Sequence, residues 1–150
     1  MNKKLEDLRP AVRDAALRAT KAMDDKGVLY AIFETLRSTE TQIAYYAQGR
    51  LALDTVNDLR IKAGLKPIGN SENMRKITNC DGIKILSQHQ SGSALDIVPM
   101  TSQGYPCWPG KQDGRWRAIA EAMKAEGFEW GGDWTSFPDF PHFEMKGVQA

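Results

Sequence analysis

SQHQSGSALDIVP, residues 87–99, closes with ALDIVP (94–99), an apolar run with β-branched residues that Pro99 stops. Such a run predicts a buried strand. Alternation places Leu95 and Ile97 on one face and Ala94, Asp96 and Val98 on the other. A carboxylate in so apolar a strand is costly to bury unless it is paired or holds a metal. His89 stands shortly upstream, and the only other histidine, His142, lies in DFPHFEM (139–145). HFEM (142–145) predicts a further strand, with His142 and Glu144 sharing a face and Phe143 opposite them.

The rest of the chain frames these two segments. VLYAIF (28–33) and FEW (128–130) read as short strands. Leu5, Leu8, Val12, Ala16, Ala19 and Met23 recur at helical spacing, with Asp7 as the expected cap, Pro10 tolerable in the first turn and an end near Gly27. A second helix opens at Ser38 or Thr39, carries Ile43, Tyr46 and Ala47 on one face and ends near Gly49. Asp54 is expected to cap a third helix, bearing Val56 and Leu59, that stops before Gly64 and Pro67. Residues up to Gln90 read as turns, with a short strand around Ile77. Residues 101–114 form an irregular loop rich in Gly and Pro. Trp116, Ile119, Ala120 and Met123 give the clearest amphipathic helix, ended by Gly127. The expected fold is α+β, a small central antiparallel sheet flanked by helices, in one domain over residues 1–150.

At 150 residues, 41% hydrophobic and 26% charged, the chain can bury a core. Twenty Lys+Arg against nineteen Asp+Glu leave a net charge of +1, which argues against a nucleic-acid binder. No run approaches the roughly 18 apolar residues of a membrane span. The opening MNKKLEDLRPAVRDAAL carries acids and Pro10 where a signal peptide needs an unbroken apolar stretch. Synthesis in the cytoplasm is therefore expected. Cys80 and Cys107 form no CxxC pair, and either two free thiols or one bridge fits them.

Two imidazoles and one carboxylate, His89, His142 and Asp96, make the set a catalytic zinc uses, with a fourth position open to water. Hydrolysis also requires a general base that is not a ligand. Asp139, three residues before His142, is the natural candidate. Arg37, just past the VLYAIF strand, is placed to support a developing oxyanion. Taken singly, each residue has a plainer reading: a hydrogen-bonded histidine, half of an ion pair, a solvated arginine. Trp130 and Trp134 likewise read as core or loop anchors as readily as substrate stackers.

The two motifs together carry a resemblance. Ser87, His89, Gly92, Ala94 and Asp96 match S-x-H-x-x-G-x-A-x-D, and Asp139, Pro141, His142, Phe143 and Glu144 match D-x-P-H-F-E. The pair resembles the LAS-type zinc peptidases: D-alanyl-D-alanine carboxypeptidases and dipeptidases of the VanY and VanX kind, and phage L-alanyl-D-glutamate endopeptidases. LRSTETQIAYYAQGR (36–50) is similar to the family's Y-R-S-x-x-x-Q-x-x-L-Y-x-x-G-R stretch, and AMKAEGFEWGGDW (122–134) to a stretch of the phage enzymes. Leu36 replaces the usual tyrosine, Ala44 replaces the usual aliphatic residue, and residues 51–75 look like a variable insertion.

The resemblance implies that His89, Asp96 and His142 bind zinc and that Asp139 is the catalytic acid/base. It implies that Arg37 polarises the scissile carbonyl and that Ser87 and Gln42 lie near the substrate. Glu144 would orient a ligand or Arg37 from behind. The expected fold holds the zinc in a cleft of the sheet. The expected activity is that of a monomeric phage-type endolysin cutting the L-alanyl-D-glutamate bond of peptidoglycan, with no separate wall-binding domain. Such an enzyme would reach the wall once the membrane is permeabilised. Two alternatives stand beside it. One is a D-alanyl-D-alanine carboxypeptidase or dipeptidase, with Arg50 or Lys84 holding the terminal carboxylate. The other is a non-catalytic zinc-bearing binding module, against which Asp139 argues.

Overall fold

The computed structural model describes residues 1–148. Its four strands are β1 (Tyr30–Glu34), β2 (Ala94–Pro99), β3 (Glu129–Trp130) and β4 (His142–Glu144). They form one antiparallel sheet in the order β1-β2-β4-β3. The helices are α1 (Pro10–Asp25), α2 (Thr39–Ala47), α3 (Leu53–Lys62), the single turn α4 (Asn70–Asn73) and α5 (Gly114–Ala125). This is the α+β architecture expected, and β2 spans ALDIVP from end to end.

The alternation of β2 and β4 divides the molecule. Leu95, Ile97 and Phe143 face one way and are wholly buried with Val12, Ala16, Ala19 and Met23 of α1 and Ile119 and Met123 of α5. Removing such side chains from water contributes about 1.5–3 kcal/mol each, enough to set which face of the sheet is covered. Asp96, His142 and Glu144 are thereby turned to the opposite face.

β1 breaks the simple alternation. Ile32 pairs with Ile97, but the next partner of Asp96 is Glu34, so Phe33 is an extra residue in a bulge. Without it, Glu34 would share the core face of Ile32. The bulge instead brings Glu34 to the side of Asp96.

Several local expectations differ from what forms. Asp7 caps nothing: Leu5–Asp7 is a 3-10 turn, and α1 begins at Pro10 after an extended Arg9. Proline lacks the N–H that a first turn leaves unbonded, and its φ is already helical. Ala52, not Asp54, precedes α3, and Asp54 lies in its first turn. No strand forms around Ile77 among the described residues. That segment runs along α2 instead, its carbonyls at Glu72, Arg75, Thr78 and Cys80 taken by side-chain donors of Gln48, Arg50 and Gln42. Cys80 and Cys107 are both free thiols. No helix is long and apolar enough to cross a membrane among the described residues.

Candidate metal centre and active site

Strand register builds the first part of the site. Glu34, Asp96 and His142 lie side by side across β1, β2 and β4. His89 arrives from the loop before β2, held by a tight turn. Its N–H donates to Ser87 Oγ (3.3 Å), and Ser87 N–H donates to Gln90 Oε1 (2.9 Å). Gly92, at φ +73°, closes the turn in a backbone conformation that side chains rarely tolerate.

Asp96 Oδ1 lies 3.2 Å from His89 Nε2 and 3.4 Å from His142 Nδ1. All three ligand atoms fall within 4.8 Å of one another. A tetrahedral zinc with bonds of about 2.1 Å has ligand–ligand edges of about 3.4 Å. Both contacts to Asp96 fit such an edge. The far side of each imidazole is fixed as well. His89 Nδ1 donates to the Thr35 carbonyl (2.8 Å), and His142 Nε2 donates to Glu144 Oε1 (2.9 Å). Each ring therefore turns its other nitrogen toward the common centre, where it serves as a ligand once deprotonated. The three residues fit a divalent cation.

Electrostatics agree with the geometry. Burial opposes ionisation of Asp96, but hydrogen bonds from His142 and His89 outweigh it and hold the carboxyl far below the usual range. Burial also disfavours a charged His142, yet Asp96 and Glu144 raise its pKa. A cation entering the cluster must displace that proton. Glu144 is kept ionised chiefly by its bond to His142. Glu144→Gln is expected to weaken metal binding about 10–100-fold, as loss of an outer partner of a ligating histidine does. Competition against a chromogenic chelator would measure it.

Arg37 lies beside this row, its side chain nine-tenths buried. Its Nε and Nη2 donate to the two oxygens of Glu34 (2.8 and 2.5 Å), and Nη1 donates to Gln42 Oε1 (2.8 Å). The Arg37 backbone N–H donates to His89 O (3.1 Å), tying the arginine to the loop that carries His89. Ser38 caps α2 by accepting from Thr41 N–H. A cavity of about 510 Å³ opens beside Arg37, walled by Leu36, Thr39, Gly64 and Leu65 and by none of His89, Asp96 and His142.

Gln42, expected near the substrate, has no exposed surface, and its amide bridges Arg37 to Cys80 O and Thr78 Oγ1. Glutamine on the inward face of α2 can satisfy both a donor and an acceptor there, which explains its burial. Ser87 is nearly buried and serves the turn before His89.

Asp139 ends the loop after β3. Its N–H donates to Gly131 O (2.9 Å), and its carbonyl accepts from His142 N–H (3.2 Å). The residue is open to solvent on one side. Protein packed around the carboxyl desolvates it, and the Asp96 charge repels a second negative charge, so its pKa is raised. Trp134 lies against the His142 ring at 5.2 Å, whereas Trp130 stacks on Phe143 and donates to Phe140 O.

The sequence reading missed Gly131. A Cβ there would stand 2.3 Å from the Asp139 carbonyl oxygen and 3.1 Å from His142 Cβ. Only glycine lets the loop pass so closely. Gly131→Ala is expected to shift Asp139 and lower turnover roughly 10²-fold, the cost of a misplacement of about 1 Å. Steady-state kinetics on a variant with native circular dichroism would measure it. Glu34 was also missed, although an acid ending an apolar run poses the same question as Asp96.

Residues 81–145 match the D-alanyl-D-alanine carboxypeptidase family. The peptidoglycan L-alanyl-D-glutamate endopeptidase CwlK of Bacillus subtilis is 32% identical over 145 residues, which cover 93% of this chain and 74% of that protein. The chain belongs to the D-alanyl-D-alanine carboxypeptidase family of peptidases. An L-alanyl-D-glutamate peptidase of Listeria phage A118 is 29% identical, over 88% of this chain but only 36% of its own length. Among solved structures, the L-Ala D-Glu endopeptidase ChiX of Serratia marcescens aligns at a TM-score of 0.56 and 23% identity, over 94% of this chain and 82% of that one. VanYB in complex with D-alanine-D-alanine aligns at 0.57 and 17% identity, over 93% and 72%. These two share the peptidase fold.

Proposed function

We propose that the protein is a zinc-dependent peptidoglycan endopeptidase that hydrolyses the L-alanyl-D-glutamate bond of the stem peptide. The observation that carries the reading is the His89–Asp96–His142 cluster with Arg37 and Asp139 arranged about it. Bound there, zinc would supply a Lewis acid and lower the pKa of its water. Asp139 takes the proton of the attacking water and passes it to the leaving amine. Arg37 directs its free N–H donors at the carbonyl oxygen as negative charge develops. His142 and His89 stay oriented by Glu144 and the Thr35 carbonyl.

The choice of bond draws on the two curated relatives, both named for L-alanyl-D-glutamate cleavage. One feature of this chain argues in the same direction. A carboxypeptidase needs a second cation for the terminal carboxylate; of the two expected to supply it, Arg50 is committed elsewhere, which leaves only the exposed Lys84. The Arg50 guanidinium lies 3.8 Å from the Tyr46 ring centroid and donates to the Tyr46 and Thr78 carbonyls. Acting on the wall from a cytoplasmic site of synthesis, as a phage-type lysin would, requires that the membrane first be opened.

Digestion of purified muropeptides, followed by mass spectrometry, tests the reading. Cleavage between L-alanine and D-glutamate is expected, abolished by excess chelator and restored by zinc. Release of free D-alanine, or hydrolysis that persists in chelator, would overturn it.

A further inference from the structure

We infer that Glu34 is a positioning residue for the reaction: it clamps the Arg37 guanidinium so that its remaining donors face the scissile carbonyl. The inference rests on the hydrolytic role given to Arg37 above. Glu34 is 4% exposed, and both its oxygens are taken by Arg37. A buried carboxylate is costly unless it is paired. The fold nevertheless brings this one to the row of Asp96 and His142 by inserting Phe33 as a bulge. Bulges placed beside active sites re-aim side chains, and this one turns a carboxylate out of the core and onto Arg37.

The geometry then limits what Arg37 can do. Glu34 occupies the Nε–Nη2 edge and Gln42 takes one hydrogen of Nη1. A guanidinium has five N–H donors. Among the described residues, one donor on each terminal nitrogen is left without a hydrogen-bond partner. Both belong to one rigid plane and remain available to a developing oxyanion. An unclamped arginine would sample many rotamers and spend little time in any one orientation. The Arg37 backbone is held too, through its bond to the carbonyl of His89.

A double-mutant cycle tests the assignment, using metal-loaded full-length protein and whichever muropeptide bond the wild type cleaves. Failure of the L-alanyl-D-glutamate reading would thus leave this test intact. Glu34→Gln keeps the shape of the side chain but loses the charge and one acceptor oxygen. We expect kcat to fall roughly 10–10²-fold, with KM and metal content unchanged. In the Arg37→Ala background, Glu34→Gln should change kcat less than twofold. A folded, metal-replete Glu34→Gln enzyme with wild-type kcat would overturn the proposal. So would a full additional loss in the Arg37→Ala background, because Glu34 would then act through something other than Arg37. Should the glutamine variant not fold, Glu34→Asp retains the charge, shortens the reach by one methylene, and is read by the same two criteria.

Discussion

Asp139→Asn is expected to lower peptidoglycan hydrolysis by roughly 10²–10⁴-fold, the range a positioned general acid/base contributes, while metal content and thermal stability stay at wild-type levels. Asparagine matches aspartate in size, and the bonds that place residue 139 use its backbone: the N–H to Gly131 and the carbonyl from His142. The loop therefore keeps its course. What disappears is a proton acceptor. The carboxyl lies within electrostatic reach of Asp96, and both desolvation and the Asp96 charge strengthen it as a base. It is not among the clustered ligand atoms, so metal content is not expected to follow its charge. The measurement is kcat on a defined muropeptide, with metal analysis and a melting curve on the same preparation. Activity within a few-fold of wild type would remove Asp139 from the chemistry and leave the metal site standing.

His142→Ala should take metal retention and activity to background together, and should also destabilise the fold. Alanine removes one of the two imidazole nitrogens facing Asp96 and the sole hydrogen-bond donor to the Glu144 carboxylate among the described residues. Two carboxylates then stand on adjacent strands with too few partners, and each group left unsatisfied costs about 1–3 kcal/mol. For a domain of this size, each kcal/mol lowers Tm by about 2–4 °C. Arg37→Ala makes the contrast. It lies outside the cluster, so metal content should hold while turnover falls. Metal analysis separates the two cases; a melting curve does not, because Arg37→Ala leaves the buried Glu34 carboxylate without its partner. A His142→Ala protein that retained one equivalent of metal would refute the ligand assignment.

Much of the architecture was legible in the residues. β2 and β4 stand where ALDIVP and HFEM place them, and α5 follows the spacing of Trp116, Ile119, Ala120 and Met123. Periodicity succeeds there because each element has one face that must leave water. Legibility failed where a short-range exception decides geometry. Asp7 loses its capping role because Pro10 starts the helix better, and Ile77 lies in no strand because side chains of Gln42, Gln48 and Arg50 bind its neighbours' carbonyls. Gln42 was placed near the substrate by likeness to the family; its burial depends on how α2 packs against residues 78–82.

By itself, then, the chain's order of residues singled out the candidate side chains. Asp96 stands out because a charge amid β-branched residues demands a partner, and two histidines are the only imidazoles available to provide it. Only the tertiary structure decided how they meet. Strand register sets Asp96 against His142, a bulge at Phe33 turns Glu34 toward Arg37, and the bare Cα of Gly131 admits the loop that carries Asp139. The physical reason is range: burial and periodicity act over a few neighbouring residues and can be read along a line, whereas pairing and close approach join segments far apart in the chain and exist only once it has folded.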